Sequence, residues 1–348
     1  MTPSSQSIAQ GTPKLRSRPL AATLIIVGGL AALVLCIALS VAVGAKDIRL
    51  STVWEALVRF NPDLDAHQIV RSLRLPRALT CALVGAALAA AGAIMQGMTR
   101  NPLADPGLLG INAGSGLAIA ICFAFVPGLH FHQLILVSFL GAALGAGLVF
   151  GIGSLSRGGM TPVRLALAGA AVMGLLNALS EGIAYKYRIG QQLAFWMFGG
   201  TGGSNVLQVG SIAPWILAGL VGALLLSRSI TLLSLGDEAA SGLGVRIGLT
   251  KLLCAVVVLV LAGASVATVG AISFLGLVVP HIARFLVGVN YKWILPCSAV
   301  LGSLLFVLAD VAARMINPPQ ETPVGALIAL IGVPFFLFLV RRVRREMS

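Results

Sequence analysis

Charged residues are scarce in this chain of 348 residues, at 10% of the composition against 58% hydrophobic residues. A water-soluble domain of this length does not need so much apolar surface, so the composition excludes a soluble protein and indicates a polytopic membrane protein. Acidic residues number only 11 against 24 lysines and arginines, which leaves a formal net charge of +13. Because the basic residues stand between apolar segments, we interpret them first as topology determinants and expect no nucleic-acid partner.

Motifs for catalysis, metal binding and ATP binding are also missing. The four histidines are scattered, and neither HExxH, GxSxG nor a paired-carboxylate motif occurs. The five cysteines lie in apolar segments without CxxC spacing, so they imply neither disulfides nor a metal site. No GxxxxGK[ST] motif is present, so this chain does not bind ATP through a P-loop. The sequence therefore predicts a protein that is not itself an enzyme and has no cofactor of its own.

Long apolar segments dominate what is present. About 20 apolar residues cross a bilayer as a helix. By this measure the predicted crossings lie near 20–44, 78–98, 107–127, 133–153, 164–183, 206–227, 248–268, 271–289, 293–312 and 323–340. The first is too long for a signal-peptide core, so we interpret it as a retained transmembrane helix. We expect an all-α bundle of about ten helices in one transmembrane domain (20–342), with tails at 1–19 and 343–348.

The stretch 252–283 carries no lysine, arginine, aspartate or glutamate, and could be mistaken for one overlong helix. If the basic loop 228–251 is cytoplasmic, the basic C-terminal tail is also cytoplasmic only when this stretch crosses twice, with a turn near 270–273. Both termini are then expected in the cytoplasm, with 15 lysines and arginines inside and nine outside. This topology places the cluster Arg71, Arg74 and Arg77 on the external side.

Two stretches on the external side are predicted to be helical without crossing. "STVWEALVRF" (51–60) has the pattern of a short amphipathic helix at the interface, and the aromatic- and glycine-rich stretch 187–208 is typical of a helical turn that dips into the membrane. An ion-coupled secondary transporter, the alternative from another class, is poorly supported because acidic residues occur only near predicted helix ends. Among them, Asp310 precedes Arg314 by four residues, the spacing of a helical ion pair.

The most informative predicted cytoplasmic loop is "SLGDEAASGLGVRIG" (234–248). We expect Asp237 to cap a helix whose first turn contains Glu238, and glycines further on to break it. The result would be two very short helices at right angles to the crossings. Such a compact, small-surfaced segment can enter a groove on another protein.

The pattern EAAxxxG at 238–244 resembles the coupling motif of ABC importer permeases. The strings "RLPRALT" and "NPLADPGLLG" (within 74–116), "GLVVPHIARFLVG" (276–288), "LADVAARM" (308–315) and "TPVGALIALIGVP" (322–334) are similar to the FecCD family, and the resemblance covers nearly the whole chain. Members of that family are ten-helix permeases of type II ABC importers for iron chelates, haem and cobalamin.

The resemblance implies partners and a location. These are a second copy of the chain, two cytoplasmic ATPase subunits that bind ATP and Mg, a soluble substrate-binding protein, and the bilayer of a bacterial inner (plasma) membrane. It implies that external arginines meet carboxylates of the binding protein, and the matching residues are Arg74, Arg77 and Arg314. The implied ATPase-coupling residues are Gly236, Asp237, Glu238, Ala239, Ala240, Gly242 and Gly244.

The resemblance also suggests a gate and a substrate. The gate residues expected after the second and fourth crossings are Asn101 with Leu103, and Met160 with Thr161. The favoured substrate is a ferric siderophore; haem is the first alternative and cobalamin the second. Lys186 and Arg188 are weak candidates for the substrate path, where they suit an anionic siderophore as well as haem propionates.

Overall fold

The computed structural model describes residues 17–44, 47–154, 162–198, 200–317 and 322–347. Within these ranges the chain forms fourteen α-helices and no strand. The helices are α1 (Pro19–Ala42), α2 (Leu50–Val58), α3 (Asp65–Gln68), α4 (Leu75–Thr99), α5 (Ile111–Phe125), α6 (Phe131–Ser154), α7 (Pro162–Lys186), α8 (Gly190–Phe198), α9 (Val206–Leu233), α10 (Asp237–Gly242), α11 (Ile247–Val269), α12 (Leu275–Val287), α13 (Tyr291–Ile316) and α14 (Val324–Met347). A π-helical turn (Ile69–Arg74) joins α3 to α4, and a 3₁₀ turn (Pro106–Leu109) precedes α5.

Ten of these helices are apolar and match the predicted segments, which confirms the predicted all-α bundle of about ten crossings. Seven helices in the described ranges are long and apolar enough to cross a membrane, and three shorter apolar helices complete the set: Ile111–Phe125, Leu275–Val287 and Val324–Leu339. The short helices predicted outside the crossings also form, as α2 and α8.

The helix α4 is the centre of the bundle. In its most apolar window 83% of the residues are buried, against 11% in α1. Glycines allow this burial: a Cβ on Gly92 would lie 1.9 Å from the carbonyl oxygen of Gly276 in α12, and one on Gly85 would lie 2.4 Å from that of Gly302 in α13. Small residues of this kind let helix backbones approach closely where lipid provides no hydrophobic drive for association.

The predicted turn between the seventh and eighth crossings is confirmed. The helix α11 ends at Val269, and α12 begins at Leu275. Gly270 sits between them at φ +76°, and a Cβ there would be 2.2 Å from the carbonyl oxygen of Met197 at the end of α8. Only glycine fits this backbone angle and this contact. The apolar stretch is therefore divided into two helices, α11 and α12, at the point where it packs on α8.

The predicted shape of the loop 234–248 needs two corrections. One short helix forms, α10, and residues 243–246 continue as a turn and extended chain into α11. Asp237 is the first residue of α10 instead of its cap; that position belongs to Gly236, at φ +123°. The physical reason is that Gly236 takes the cap position at its positive φ, so the helix starts one residue earlier than an Asp237 cap would allow, and the Asp237 carboxylate forms ion pairs with Lys251 and Arg100.

We expect Gly92→Ala to destabilise the subunit strongly. The added methyl would overlap the carbonyl of Gly276, and overpacking of this kind costs about 1–3 kcal/mol or more. The melting temperature in detergent should fall by several degrees, measured by loss of the monodisperse peak in fluorescence-detected chromatography after heating. Gly28→Ala in α1 is the matched control, because a Cβ there meets nothing within 4 Å. Equal melting temperatures for the two variants would contradict the close α4–α12 contact.

Candidate functional site

The three arginines predicted to meet a binding protein lie together at one end of the bundle. Arg77 is in the first turn of α4, Arg74 is in the π-helical turn before it, and Arg314 is in the last turn of α13. A buried carboxylate on α13, that of Asp310, joins two of them. We call Arg74, Arg77, Arg314 and Asp310 the arginine cluster.

Asp310 is fully buried and shared between two guanidinium groups. Arg77 donates to it from Nε (3.0 and 3.1 Å to the two carboxylate oxygens) and from Nη2 (2.9 Å to Oδ1). Arg314 Nε lies 3.2 Å from Oδ2, which confirms the ion pair that the four-residue spacing predicts. The hydroxyl of Thr201, in the turn after α8, donates a short hydrogen bond to Oδ1. Such charge-assisted bonds offset the cost of burying a carboxylate.

The arginine cluster also caps the end of α1. The last carbonyl oxygens of a helix have no partner within it. Here Arg74 and Arg314 donate to four of them, at 2.8 to 3.1 Å: those of Ser40, Val41, Ala42 and Val43. Positive charge at a helix C-terminus is also favoured by the helix dipole. The cluster thus fastens α1 to α4 and α13 at this end.

These contacts leave the three predicted docking arginines unequally accessible. The side chains of Arg77 and Arg314 are 12% and 11% exposed. Arg74 is half-buried, whereas Arg71, a turn earlier, is exposed and lies with its guanidinium carbon 4.7 Å from the ring centre of Phe60. A cavity of 450 Å³ beside the cluster is lined by Arg77, Thr201 and residues 322–324.

The predicted coupling residues form a compact unit at the other end of α4. Asp237 Oδ2 accepts a hydrogen bond from Lys251 Nζ at 2.7 Å, and Oδ1 lies 3.7 Å from Arg100 Nη2. Arg100 follows the last residue of α4 in the left-handed conformation, at φ +53°. Glu238 and Ala239 are exposed, whereas Ala240 is fully buried. The helix α10 therefore presents Glu238 and Ala239 outward, while Lys251 of α11 and Arg100 after α4 hold Asp237.

A chain of polar contacts that the sequence did not reveal lies near this unit, around an opening that Arg100 also lines. The backbone N–H of Tyr291 donates to Thr231 Oγ1 (3.0 Å), and Arg284 Nη2 donates to Tyr291 Oη (2.9 Å) and Gln96 Oε1 (3.2 Å). The buried Gln96 amide in turn donates to the first carbonyls of α12, at 3.2 Å. These hydrogen bonds join α9, α13, α12 and α4. No local sequence pattern predicts them, because the residues come from four different helices.

Of the predicted gate, only one half lies in the described residues. Asn101 Oδ1 accepts from the Leu103 amide at 3.0 Å, so the polar side chain closes its own turn. Nearby, burial raises the pKa of Asp105 to about 6, although the hydrogen bond from the Gly107 amide opposes this shift. Met160 and Thr161 lie outside the described residues.

The weak substrate-path candidates come together around one opening. Lys186 and Arg188 line a cavity of 550 Å³ with Tyr185 and Gly190, between the end of α7 and the start of α8. Lys186 Nζ lies 5.7 Å from the centre of the Tyr187 ring. Because Thr201 reaches Asp310 just after α8, this opening is at the same end of the bundle as the arginine cluster.

A family model described as "FecCD transport family" matches residues 32–342, nearly the whole chain. The chain belongs to the FecCD transport family. Members of this family are permease subunits of ABC importers, so this FecCD chain is the multi-pass membrane component of such an importer.

Named relatives and solved structures agree with this assignment. The iron(3+)-hydroxamate import system permease protein FhuB of Bacillus subtilis is 52% identical over 94% of this chain and 86% of its own length. The ferric enterobactin permease FepD of Escherichia coli is 41% identical (91% and 95%), and the hemin permease HmuU of Yersinia pestis is 38% identical (88% and 91%). An inward-facing metal-chelate type ABC transporter has the same fold, with a TM-score of 0.79 and 30% identity over 92% of this FecCD chain and 99% of its own.

We expect Asp310→Asn to destabilise this FecCD subunit, because Arg77 and Arg314 would lose their shared counter-charge. Breaking a buried pair from one side costs about 3–5 kcal/mol. The double variant Arg77→Gln/Asp310→Asn should lose clearly less than the sum of the two single losses, since both remove the same ion pair. Chemical unfolding in detergent measures all four proteins of the cycle. Strict additivity would show that the two side chains do not interact.

Proposed function

We propose that this chain is the membrane subunit of an ATP-driven importer that moves a ferric siderophore from a soluble binding protein into the cytoplasm. Two copies of the chain would form the path, and two separate ATPase subunits would bind ATP and Mg. The chain would lie in the bacterial inner (plasma) membrane, with both termini in the cytoplasm. The observation that carries the proposal is the 52% identity to an iron(3+)-hydroxamate permease along 94% of the chain.

The layout of the two candidate sites supports this assignment. Arg77 in the first turn of α4 and Arg100 just after its last residue are 23 residues apart, which is about 35 Å along a helix. One end of the same helix therefore carries the basic cluster, and the other carries the contact to α10. An importer needs a delivery surface and an energy-input surface on opposite faces of the membrane, and α4 provides a rigid element between them.

Delivery would rest on the arginine cluster. Arg77 and Arg314 share the single carboxylate of Asp310, so their positive charge exceeds its negative charge. Complementary charge steers a partner and sets its register, and an arginine fork gives a carboxylate a directional contact. The binding protein would meet Arg74, Arg77 and Arg314, and Arg71 joins this surface as its most exposed basic residue. The chelate would then be released towards the cavity beside Thr201.

Energy input would rest on α10. Its exposed residues Glu238 and Ala239 fit a groove on an ATPase, while Lys251 and Arg100 tie Asp237 to α11 and α4. Movement of the docked ATPase would be passed to these helices without chemistry on the substrate. Asn101 and Leu103, with Met160 and Thr161, would form the gate next to this unit.

A haem importer is the second candidate, since the hemin permease HmuU is 38% identical to this chain. Lys186 and Arg188 would meet propionates in that case, and the same cations suit an anionic siderophore. Cobalamin is the third candidate. Competition between labelled haem and a ferric siderophore in reconstituted vesicles separates these options, and transport without any ATPase subunit would contradict all of them.

We expect Arg74→Gln to weaken binding of the loaded binding protein about tenfold, or ~1.4 kcal/mol, and to flatten the salt dependence of that affinity. Arg74 is the suitable test residue because it does not contact Asp310, whereas reversing Arg77 would place a second carboxylate beside Asp310 and disturb the fold. Surface plasmon resonance on nanodisc-embedded complex measures the affinity. The control is Arg59→Gln, an exposed arginine after α2. Unchanged affinity in Arg74→Gln, with normal ATPase co-purification, would refute the docking role.

We expect Glu238→Lys to abolish co-purification of the ATPase subunit while leaving the fold intact, because Glu238 is exposed and lies in the first turn of α10. Pull-down on the tagged permease, followed by quantification of both subunits, measures the effect. Glu55→Lys on α2 is the matched control, since it reverses an exposed glutamate at the opposite end of the bundle. A full complement of ATPase bound to Glu238→Lys would show that α10 does not carry the contact.

A further inference from the structure

A polar stripe runs along the outer half of α7. Asn177, Glu181 and Tyr185 follow one another at four-residue spacing, which places them on one face of the helix. All three are exposed, and Tyr185 keeps 90% of its surface. The exposed Leu175 and Leu179 lie on a different face, as lipid-facing residues would. The helix therefore has a polar exposed face besides its apolar one.

Glu181 is the unusual member of the stripe. It lies five residues before the end of α7 at Lys186, about 7–8 Å inside that end. Among the described residues, no basic nitrogen within 4.0 Å and no hydrogen-bond donor pairs with it. A carboxylate inside a membrane-spanning segment is costly against hydrocarbon, so such groups face a water-filled path or another polar surface. Glu181 thus marks the polar face of α7 as one that lipid does not cover.

A cavity of 490 Å³ opens onto this face. It lies between α5, α7 and α8, and its walls include Gly116, Asn177, Ser180, Glu181, Tyr185 and Met197. Glu181 is the one charged residue among the described residues that line it. The opening lined by Lys186 and Arg188 adjoins it through the shared Tyr185 and Gly190. A substrate arriving from the end of α7 would pass the two cations first and the carboxylate next.

We propose that this cavity is a binding position for the chelate on its path through the subunit, and that Glu181 makes it selective against chelates with a net negative charge. The inference rests on the proposed function and adds the substrate class. A fixed carboxylate repels an anionic chelate such as a ferric tris-catecholate, and attracts one that carries an ammonium group. Neutral and cationic ferric hydroxamates pass, and Asn177 and Tyr185 offer them hydrogen bonds. The volume is in the range of ligand pockets, about 300–1,000 Å³.

The test uses the complete transporter in proteoliposomes, with its ATPase and binding protein. Three forms of one linear tris-hydroxamate ferric chelate are compared: the free ammonium form (net +1), its N-acetylated form (neutral) and its N-succinylated form (net −1). Each is supplied on saturating, preloaded binding protein, so that the selectivity of that protein cancels. We expect wild-type uptake of the cationic form to exceed that of the anionic form about tenfold at low salt, and the ratio to narrow as salt screens the charge.

Glu181→Gln should reduce this ratio to about twofold or less, because the amide keeps the shape of the side chain and removes its charge. Glu55→Gln, the matched control outside the cavity, should keep the wild-type ratio. A wild-type ratio near one, or an unchanged ratio in Glu181→Gln, overturns the selection by Glu181. The proposal is also overturned if Glu181→Gln slows uptake of all three forms equally and weakens the association of two copies of the chain. Glu181 would then serve to pair the two copies. Failure of the wild type to move any form with ATP would instead reject the proposed function, and the inference with it.

Discussion

Close backbone contact between α4 and its neighbours is the constraint on which the rest of the bundle depends. At Gly92 and Gly85 the carbonyls of α12 and α13 occupy the space of a side chain. Helices this close leave little room for polar side chains along α4, where the buried polar residues are Thr80 and Gln96. The charged residues of this stretch accordingly lie at the two ends of α4, with Arg77 in its first turn and Arg100 just after its last residue. Packing density thus decides where charge can be placed.

The carboxylates at the two ends of α4 differ in how far they are buried. At the first, Asp310 is fully buried and needs both guanidinium groups to offset its desolvation. At the second, Asp237 is partly exposed and is shared between Lys251 and Arg100 in a looser arrangement. A buried network holds one geometry, whereas a solvated pair allows adjustment. The arginine cluster is therefore the fixed end of the helix, and the α10 contact is the adaptable one.

Sequence reasoning predicted the features that depend on local pattern. Ten crossings follow from the length of apolar segments, the break near Gly270 follows from charge parity, and the Asp310–Arg314 pair follows from four-residue spacing. The pairing of Arg77 with Asp310 could not be predicted in this way, because the two residues are 233 positions apart and only the packing of α4 on α13 joins them. The second helix expected after α10 was wrong because Gly244, at φ +83°, ends the helical path before α11.

Non-local contacts also explain which arginines remain accessible. The motif "RLPR" predicts a docking role for Arg74 and Arg77 alike, and Arg71 is only placed in the same external cluster. In the folded chain Arg77 turns inward to Asp310, Arg74 reaches the end of α1, and Arg71 stays exposed. Nothing in the spacing of these residues distinguishes them, since the carboxylate and the carbonyls that engage them come from α13 and α1. The ranking of surface residues therefore depends on tertiary structure.

The attachment of α1 has a consequence for the biosynthesis of the protein. This helix packs mainly against α13, which is translated about 250 residues later, roughly 12–50 s at ribosomal speeds. Until then α1 is held only by smaller contacts with earlier segments, among them the bonds from Arg74 and the contact with α4. Its mean hydropathy of 2.9, the highest of the seven long spans found in the described chain, suits a helix that is largely surrounded by lipid during this time. Once α13 is inserted, Arg314 donates to the carbonyls of Ser40 and Val43, so the attachment of the first helix is completed only near the end of synthesis.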